Sequence, residues 1–282
     1  MADSQVSLGA SLTYAWDLLR AHWREVWGAL ALNALAWTVL FAGVFAQNGV
    51  LILAGLPAMI LTKYAVYGSV VRLAFGAEHH DHADYKLGVL GLQWKRMELR
   101  MFGADVLFVV FFAVIISLLM IVLVAPLVGI VMSHGAKPAD IQTQEQMLRW
   151  LGPDGQAILR AEQVLVQVVA IILVGIGVRL SLTLPASAES GKIAVLRTWK
   201  VVRRAFWRLL GASLVIVLPL LVIVMLILGS KAGADGQLGH FTPTEAFVFA
   251  LVCGLWAGGA ITPLLAAVQA YFYKHLKAAG QA

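Results

Sequence analysis

Two stretches of this chain share one design, a basic amphipathic segment running without a break into an uncharged apolar one. AVLRTWKVVRRAFWRLLG (194–211) leads into ASLVIVLPLLVIVMLIL (212–228), and SLTYAWDLLRAHWREVWG (11–28) leads into ALALNALAWTVLFAGVFA (29–46). An apolar run of ~20 residues is long enough to cross a ~30 Å hydrocarbon core as a helix. Six such runs occur, at about 27–46, 50–75, 104–132, 157–184, 208–229 and 244–273. Only 13% of the 282 residues are charged, whereas roughly a quarter would be expected of a soluble domain. The expectation is an all-α polytopic membrane protein of six spans with two or three interfacial amphipathic helices. It is a single integral membrane domain over 1–282, with no room left for a soluble enzyme domain.

MADSQVSL lacks the basic opening of a secretory signal, and the first apolar run starts too late for one, so the first span is expected to stay in the membrane. Cys253 is the single cysteine, which excludes an intramolecular disulfide framework. The net charge of +6 points to lipid rather than nucleic acid because of where the charges fall. If the spans alternate, the N-terminus, the 72–103 loop, the 179–208 loop and the C-terminus share one side. That side carries sixteen of the 21 Lys and Arg, whereas Lys137, Arg149, Arg160 and Lys231 lie on the other. Basic loops stay cytoplasmic, so a bacterial inner-membrane protein with both termini cytoplasmic is expected.

Superposing Trp16 on Trp199 brings Arg20 onto Arg203, Trp23 onto Phe206 and Gly28 onto Gly211. At helical spacing Trp16, Leu19, Trp23 and Trp27 share a face, as do Trp199, Val202, Phe206 and Leu210. Arg197, Lys200, Arg204 and Arg208 fall opposite the second of these stripes. Indole at headgroup depth with Arg reaching toward phosphate suits a helix lying on the membrane, so Gly28 and Gly211 are where the chain should bend into the bilayer. GLQWKRMELRMFG (91–103), with Trp94, Arg96 and Arg100, is a weaker third copy. The repeat units would be 9–76, 84–184 and 188–277, each an interfacial helix followed by a two-helix hairpin. In the loop 133–156, a short helix is expected between Pro138 and Gly152. Prolines 57, 126, 219 and 263 lie inside spans, where membrane helices tolerate them. Gly254 and Gly258 are spaced for a close helix contact.

Few residues suggest chemistry. Lys63 lies deep in the second span, where an ammonium costs ~2.5–3.5 kcal/mol. It either snorkels or pairs, with Asp105 as a partner that depth disfavours unless the second helix protrudes into the cytoplasm, or it lines a path for an ion or substrate. Arg179 at the end of the fourth span is expected to grip a lipid phosphate or Glu189. Glu162, Gln163 and Gln167 recur at helical spacing and would line a polar cleft, while Asn33 and Gln269 suit interhelical hydrogen bonds. Glu78, His79, His80, Asp81, His82 and Asp84 resemble a metal tract, but no second ligand cluster accompanies them and a solvated loop is the preferred reading. No metal or other cofactor is expected, and the patterns of hydrolases, phosphate loops and dinucleotide sites are missing.

Arg179, Pro185, the pair Thr198-Trp199, the pair Phe206-Trp207 and Gly211 stand in VRLSLTLPASAESGKIAVLRTWKVVRRAFWRLLG (178–211). This stretch resembles the signature of the bacterial glycerophosphoryl diester phosphodiesterase membrane-domain group and its stand-alone six-span relatives. The resemblance implies an inner-membrane fold without the soluble phosphodiesterase barrel of the fused members, and so without that activity. A non-enzymatic accessory or scaffold protein is therefore expected. It would hold anionic phospholipid, a membrane-protein partner or a second copy through Arg20, Arg24, Arg96, Arg100, Arg179, Arg197, Lys200, Arg203, Arg204 and Arg208. The alternative is a transporter or channel for a small or amphiphilic solute, with Lys63, Arg179 and Gln167 on the path.

Overall fold

The computed structural model describes residues 7–78, 85–133, 155–195, 198–203, 205–231 and 241–279. Among them no strand occurs, and six helical stretches are long and apolar enough to cross a membrane. The protein is thus a multi-pass, membrane-embedded helical chain. Two compact units form, one from 1–105 with 178–282 and the other from 106–177.

The first unit opens with α1 (Leu8–Phe45), whose first turn is capped by the Ser7 hydroxyl accepting from Ala10 N. A turn through Gln47 (φ 51°) reverses the chain, and Asn48 caps α2 (Gly49–Phe75) by accepting from Val50 N and Leu51 N. The two helices form an antiparallel hairpin. A short 3-10 turn, Val89–Gly91, then leads to α3 (Arg96–Ser133), which enters the second unit at Val106. From α4 (Gly155–Leu180) the chain re-enters the first unit at Val178. It continues through α5 (Thr183–Ser190), the five-residue α6 (Thr198–Val202) and α7 (Phe206–Lys231).

The last span starts at a capping box. Thr242 accepts from Glu245 N, the Glu245 carboxylate accepts from Thr242 N, and Pro243 fills the first helical position of α8 (Pro243–Gly254). A π-helical segment, Leu255–Ile261, joins α8 to α9 (Thr262–Ala278). Pro263 has no N–H to donate, and both the backbone N–H and the hydroxyl of Thr262 reach back to Ala257 O. Asn33, fully buried on α1, donates to Gly258 O at 2.8 Å and accepts from the Thr62 hydroxyl at 3.0 Å. The irregular turn is thereby fixed to both α1 and α2. The close contact expected of Gly254 and Gly258 is present. A β-carbon on Gly258 would lie 2.6 Å from Ala34 Cα, and one on Gly254 would lie 2.6 Å from Thr38 Cα.

Two expected bends are not there. α1 passes through Gly28 without interruption, and α7 passes through Gly211. Gly28 instead admits the 3-10 turn, because a β-carbon there would stand 2.7 Å from Leu90 Cβ. The third apolar run likewise begins within a helix already continuous from Arg96. Only the 198–211 segment breaks, and it does so between Val202 and Phe206. Pro185, expected at the end of the fourth span, lies buried inside α5 after a turn at Ser181 and Leu182.

One end of the first unit gathers the basic termini of its helices. There Tyr14 packs on Tyr271 and Phe75 on Tyr273, Lys274 pairs with Glu78 at 2.6 Å, and Lys277 pairs with Glu189 at 2.5 Å. At the opposite end Phe45, Phe241 and Phe249 cluster beside the Lys231–Glu245 pair. The second unit holds the more apolar lengths of α3 and α4. Most of its described side chains, among them Leu107, Val110, Leu118, Val164 and Ile171, are exposed, as suits a surface in contact with lipid tails.

Candidate functional site

The basic end is built on α2 and the first ten residues of α3. Arg72, read from the sequence as a loop charge, is interior. Its guanidinium is held by both carboxylate oxygens of Glu98, through Nη1 to Oε1 and at 3.0 Å through Nη2 to Oε2, with both side chains 0% exposed. Lys95 N donates to the same Oε2 at 2.8 Å. Gly68 makes room, since a β-carbon there would collide with the Glu98 carboxylate. Met97, Met101 and Ala104 are buried on the same helix. The start of α3 is therefore a packed, ion-paired element of the first unit.

About two turns further along both helices, Lys63 and Asp105 pair directly at 2.5 Å, with side chains 29% and 22% exposed. Asp105 Oδ2 also accepts from the Tyr64 hydroxyl at 2.7 Å. The Lys63 ammonium lies 5.3 Å from the Tyr64 ring and 5.8 Å from that of Tyr67. Phe102 and Trp94 stand edge-on to Tyr64 at 5.6 Å and 6.2 Å. The pairing that depth disfavoured forms because α3 begins well before its apolar run, carrying Asp105 to the level of Lys63. Two cation–π contacts and the carboxylate compensate a charge that would otherwise lie bare in the bilayer.

Arg179 does not meet Glu189, which is taken by Lys277. Its guanidinium lies 4.9 Å from the Trp199 ring and 5.7 Å from the Phe206 ring. Trp199 belongs to α6 and Phe206 opens α7, so the break between these helices wraps both rings around one cation. Contact with aromatic rings consumes none of the five N–H donors of the guanidinium. Among the described residues no oxygen is bonded to it.

The other basic positions differ in kind. Arg20, Arg24, Arg96, Lys200, Arg203 and Arg208 are exposed. Arg24 lies 5.7 Å from the Trp23 ring. Arg100 is half-buried and passes close to the turn at Gly191. Trp16 and Trp23 are 60% and 54% exposed while Ala15, Val26 and Ala29 on the other side of α1 are buried, so the indole stripe faces outward. Around α6 and α7 the corresponding stripe is more covered, with Val202 fully buried and Trp199, Phe206 and Leu210 partly so. Arg197, Arg204, the His79–His82 tract and the helix expected between Pro138 and Gly152 lie outside the described residues, as does the Glu162 side chain.

Lys63 is engaged by Asp105 and Arg179 by Trp199 and Phe206, while Gln163 and Gln167 are exposed on α4 in the second unit. Among the described residues no three His, Cys, Asp or Glu side chains cluster as metal ligands. Glu98 is the residue the sequence reading missed. Its signal was an acidic side chain bracketed by Met97, Leu99 and Met101, directly before a span. No family model, curated protein or solved structure matches the chain.

Proposed function

We propose that this chain is a non-enzymatic accessory or scaffold protein of a bacterial inner membrane, holding anionic phospholipid at its basic end. The termini would lie on the cytoplasmic side, where basic segments are retained. The observation that carries the reading is Arg179. A guanidinium fixed by two aromatic faces, with its donor edge uncommitted among the described residues, is preorganised for a phosphate that accepts two parallel hydrogen bonds. Lys200, Arg203 and Arg208 stand exposed on α6, in the break and on α7. Each basic side chain near an anionic surface adds ~1 kcal/mol. The resemblance of 178–211 to the phosphodiesterase membrane-domain group agrees with this reading, since Arg179, Trp199 and Phe206 are among the residues that carry it.

The test is native mass spectrometry of the protein released from its membrane in mild detergent, with and without reversal of Lys200, Arg203 and Arg208 to Glu. Retained anionic phospholipid that disappears in the reversed protein supports the proposal. Equal retention by both proteins overturns it. A stoichiometric protein partner would identify the process that the scaffold serves.

A further inference from the structure

A groove of about 260 Å³ runs between α1 and the π-helical segment, from Arg20 to Leu30 along one wall and from Pro263 to Gly259 along the other. It exists because the wide turn places Gly259 and Ala260 opposite α1 with almost no side chain between them. A β-carbon on Gly259 would meet only Ala34 Cβ, at 3.9 Å. Single π-turns inside helices recur at functional sites. Here Asn33 holds the turn open by binding Gly258 O.

The lining is apolar apart from Arg20 and the indole N–H groups. Trp16, Arg20 and Trp23 stand four and three residues apart, so the guanidinium leaves α1 between two exposed rings. No described carboxylate or carbonyl is bonded to Arg20. Leu30 lies about 15 Å along the axis from Arg20, at 1.5 Å per residue. The groove therefore leads from the headgroup region into the first part of the apolar run. That distance suits a phosphate, its glycerol and the upper length of one acyl chain. The volume is too small for a whole lipid, whose remaining tail would lie in the bilayer.

We infer that the groove is a dedicated site for one phospholipid of net negative headgroup, with phosphate on Arg20 and acyl chain against Gly259, Ala260 and Pro263. Arg24, four residues on and resting on the Trp23 ring that lines the groove, supplies the second cation that favours an anionic over a zwitterionic headgroup. This rests on the lipid reading above, and it assigns a defined seat to what is otherwise a diffuse basic surface.

The experiment uses the full chain in vesicles containing a phosphatidylglycerol or a phosphatidylcholine analogue, each with a photoactivatable group on the upper acyl chain. Peptides carrying the crosslink are then mapped. Labelling by the anionic probe should concentrate on 19–30 and 259–264. It should fall about tenfold in Arg20→Gln, as loss of a charge-assisted hydrogen bond implies, and should vanish from these peptides in Gly259→Leu, which fills the groove. Arg20→Gln changes only an exposed side chain and keeps the test valid if Gly259→Leu disturbs folding. Equal labelling of the groove by both probes overturns the anionic site. Anionic enrichment around the protein with labels spread over all spans overturns the groove alone. No anionic enrichment anywhere overturns the groove and the lipid reading together.

Discussion

Glu98 meets the guanidinium of Arg72 through both carboxylate oxygens, and neither side chain has any exposed surface. Removing one member strands the other charge in the interior, which costs about 3–5 kcal/mol, whereas replacing both with apolar residues of similar volume is close to neutral. Glu98→Gln and Arg72→Met should therefore each lower unfolding stability by that amount in mixed micelles. The double variant Arg72→Met/Glu98→Leu should recover most of it. Singles no worse than the exposed Arg96→Gln would show that the pair is not the anchor of α3.

Lys63 and Asp105 are more accessible, and Tyr64 shares the carboxylate. Asp105→Asn keeps an acceptor for the Tyr64 hydroxyl but loses the charge, so it should cost about 1–3 kcal/mol. Lys63→Met leaves Asp105 with only the tyrosine and should cost a similar amount. The double-mutant cycle should return a coupling clearly different from zero; additive losses would mean that the two groups act independently.

Arg179→Lys conserves charge and removes the plane that stacks on Trp199 and Phe206. An ammonium cannot present a bidentate edge. Anionic lipid retention should drop severalfold and stability by roughly 1 kcal/mol. Trp199→Leu should reproduce the stability loss with the positive charge intact. Retention unchanged in Arg179→Lys would indicate attraction by net charge alone.

Gly258 and Gly259 are neighbours with opposite tolerances. A methyl at Gly258 meets α1 backbone at 2.6 Å, while one at Gly259 meets only Ala34 Cβ at 3.9 Å. Gly258→Ala should destabilise by about 1–3 kcal/mol through overpacking, and Gly259→Ala should stay within about 0.5 kcal/mol of the parent. Thermal unfolding of the two variants side by side gives the comparison. Equal losses would mean that α1 and the π-helical segment do not approach as described.

The spans were legible because hydrocarbon imposes a length and an apolar composition that any window of sequence displays. Two helix starts carried local signals that the sequence reading passed over: Asn48 caps α2, and Thr242 with Glu245 forms a capping box three residues apart. Partners across the fold were not. Arg72 and Glu98 are 26 residues apart and Lys63 and Asp105 are 42. Nothing local distinguishes an arginine that ends a helix at the surface from one that α3 will cover. Gly28 shows the same limit, because a glycine at a bend and a glycine admitting Leu90 read alike in sequence. The Arg179 site was half visible. Its need for a partner followed from its position, whereas the choice of two rings over Glu189 depended on where α6 breaks from α7.

Unbroken over 38 residues, α1 measures about 57 Å at 1.5 Å per residue, against ~40–45 Å for a whole bilayer with its headgroups. Such a rod has to overhang or lean. In a thinner membrane it leans further, and Trp16, Arg20 and Trp23 are carried along as one rigid piece. The position of these side chains against the phosphate layer is thus geared to bilayer thickness, an input that a hinge at Gly28 would have uncoupled.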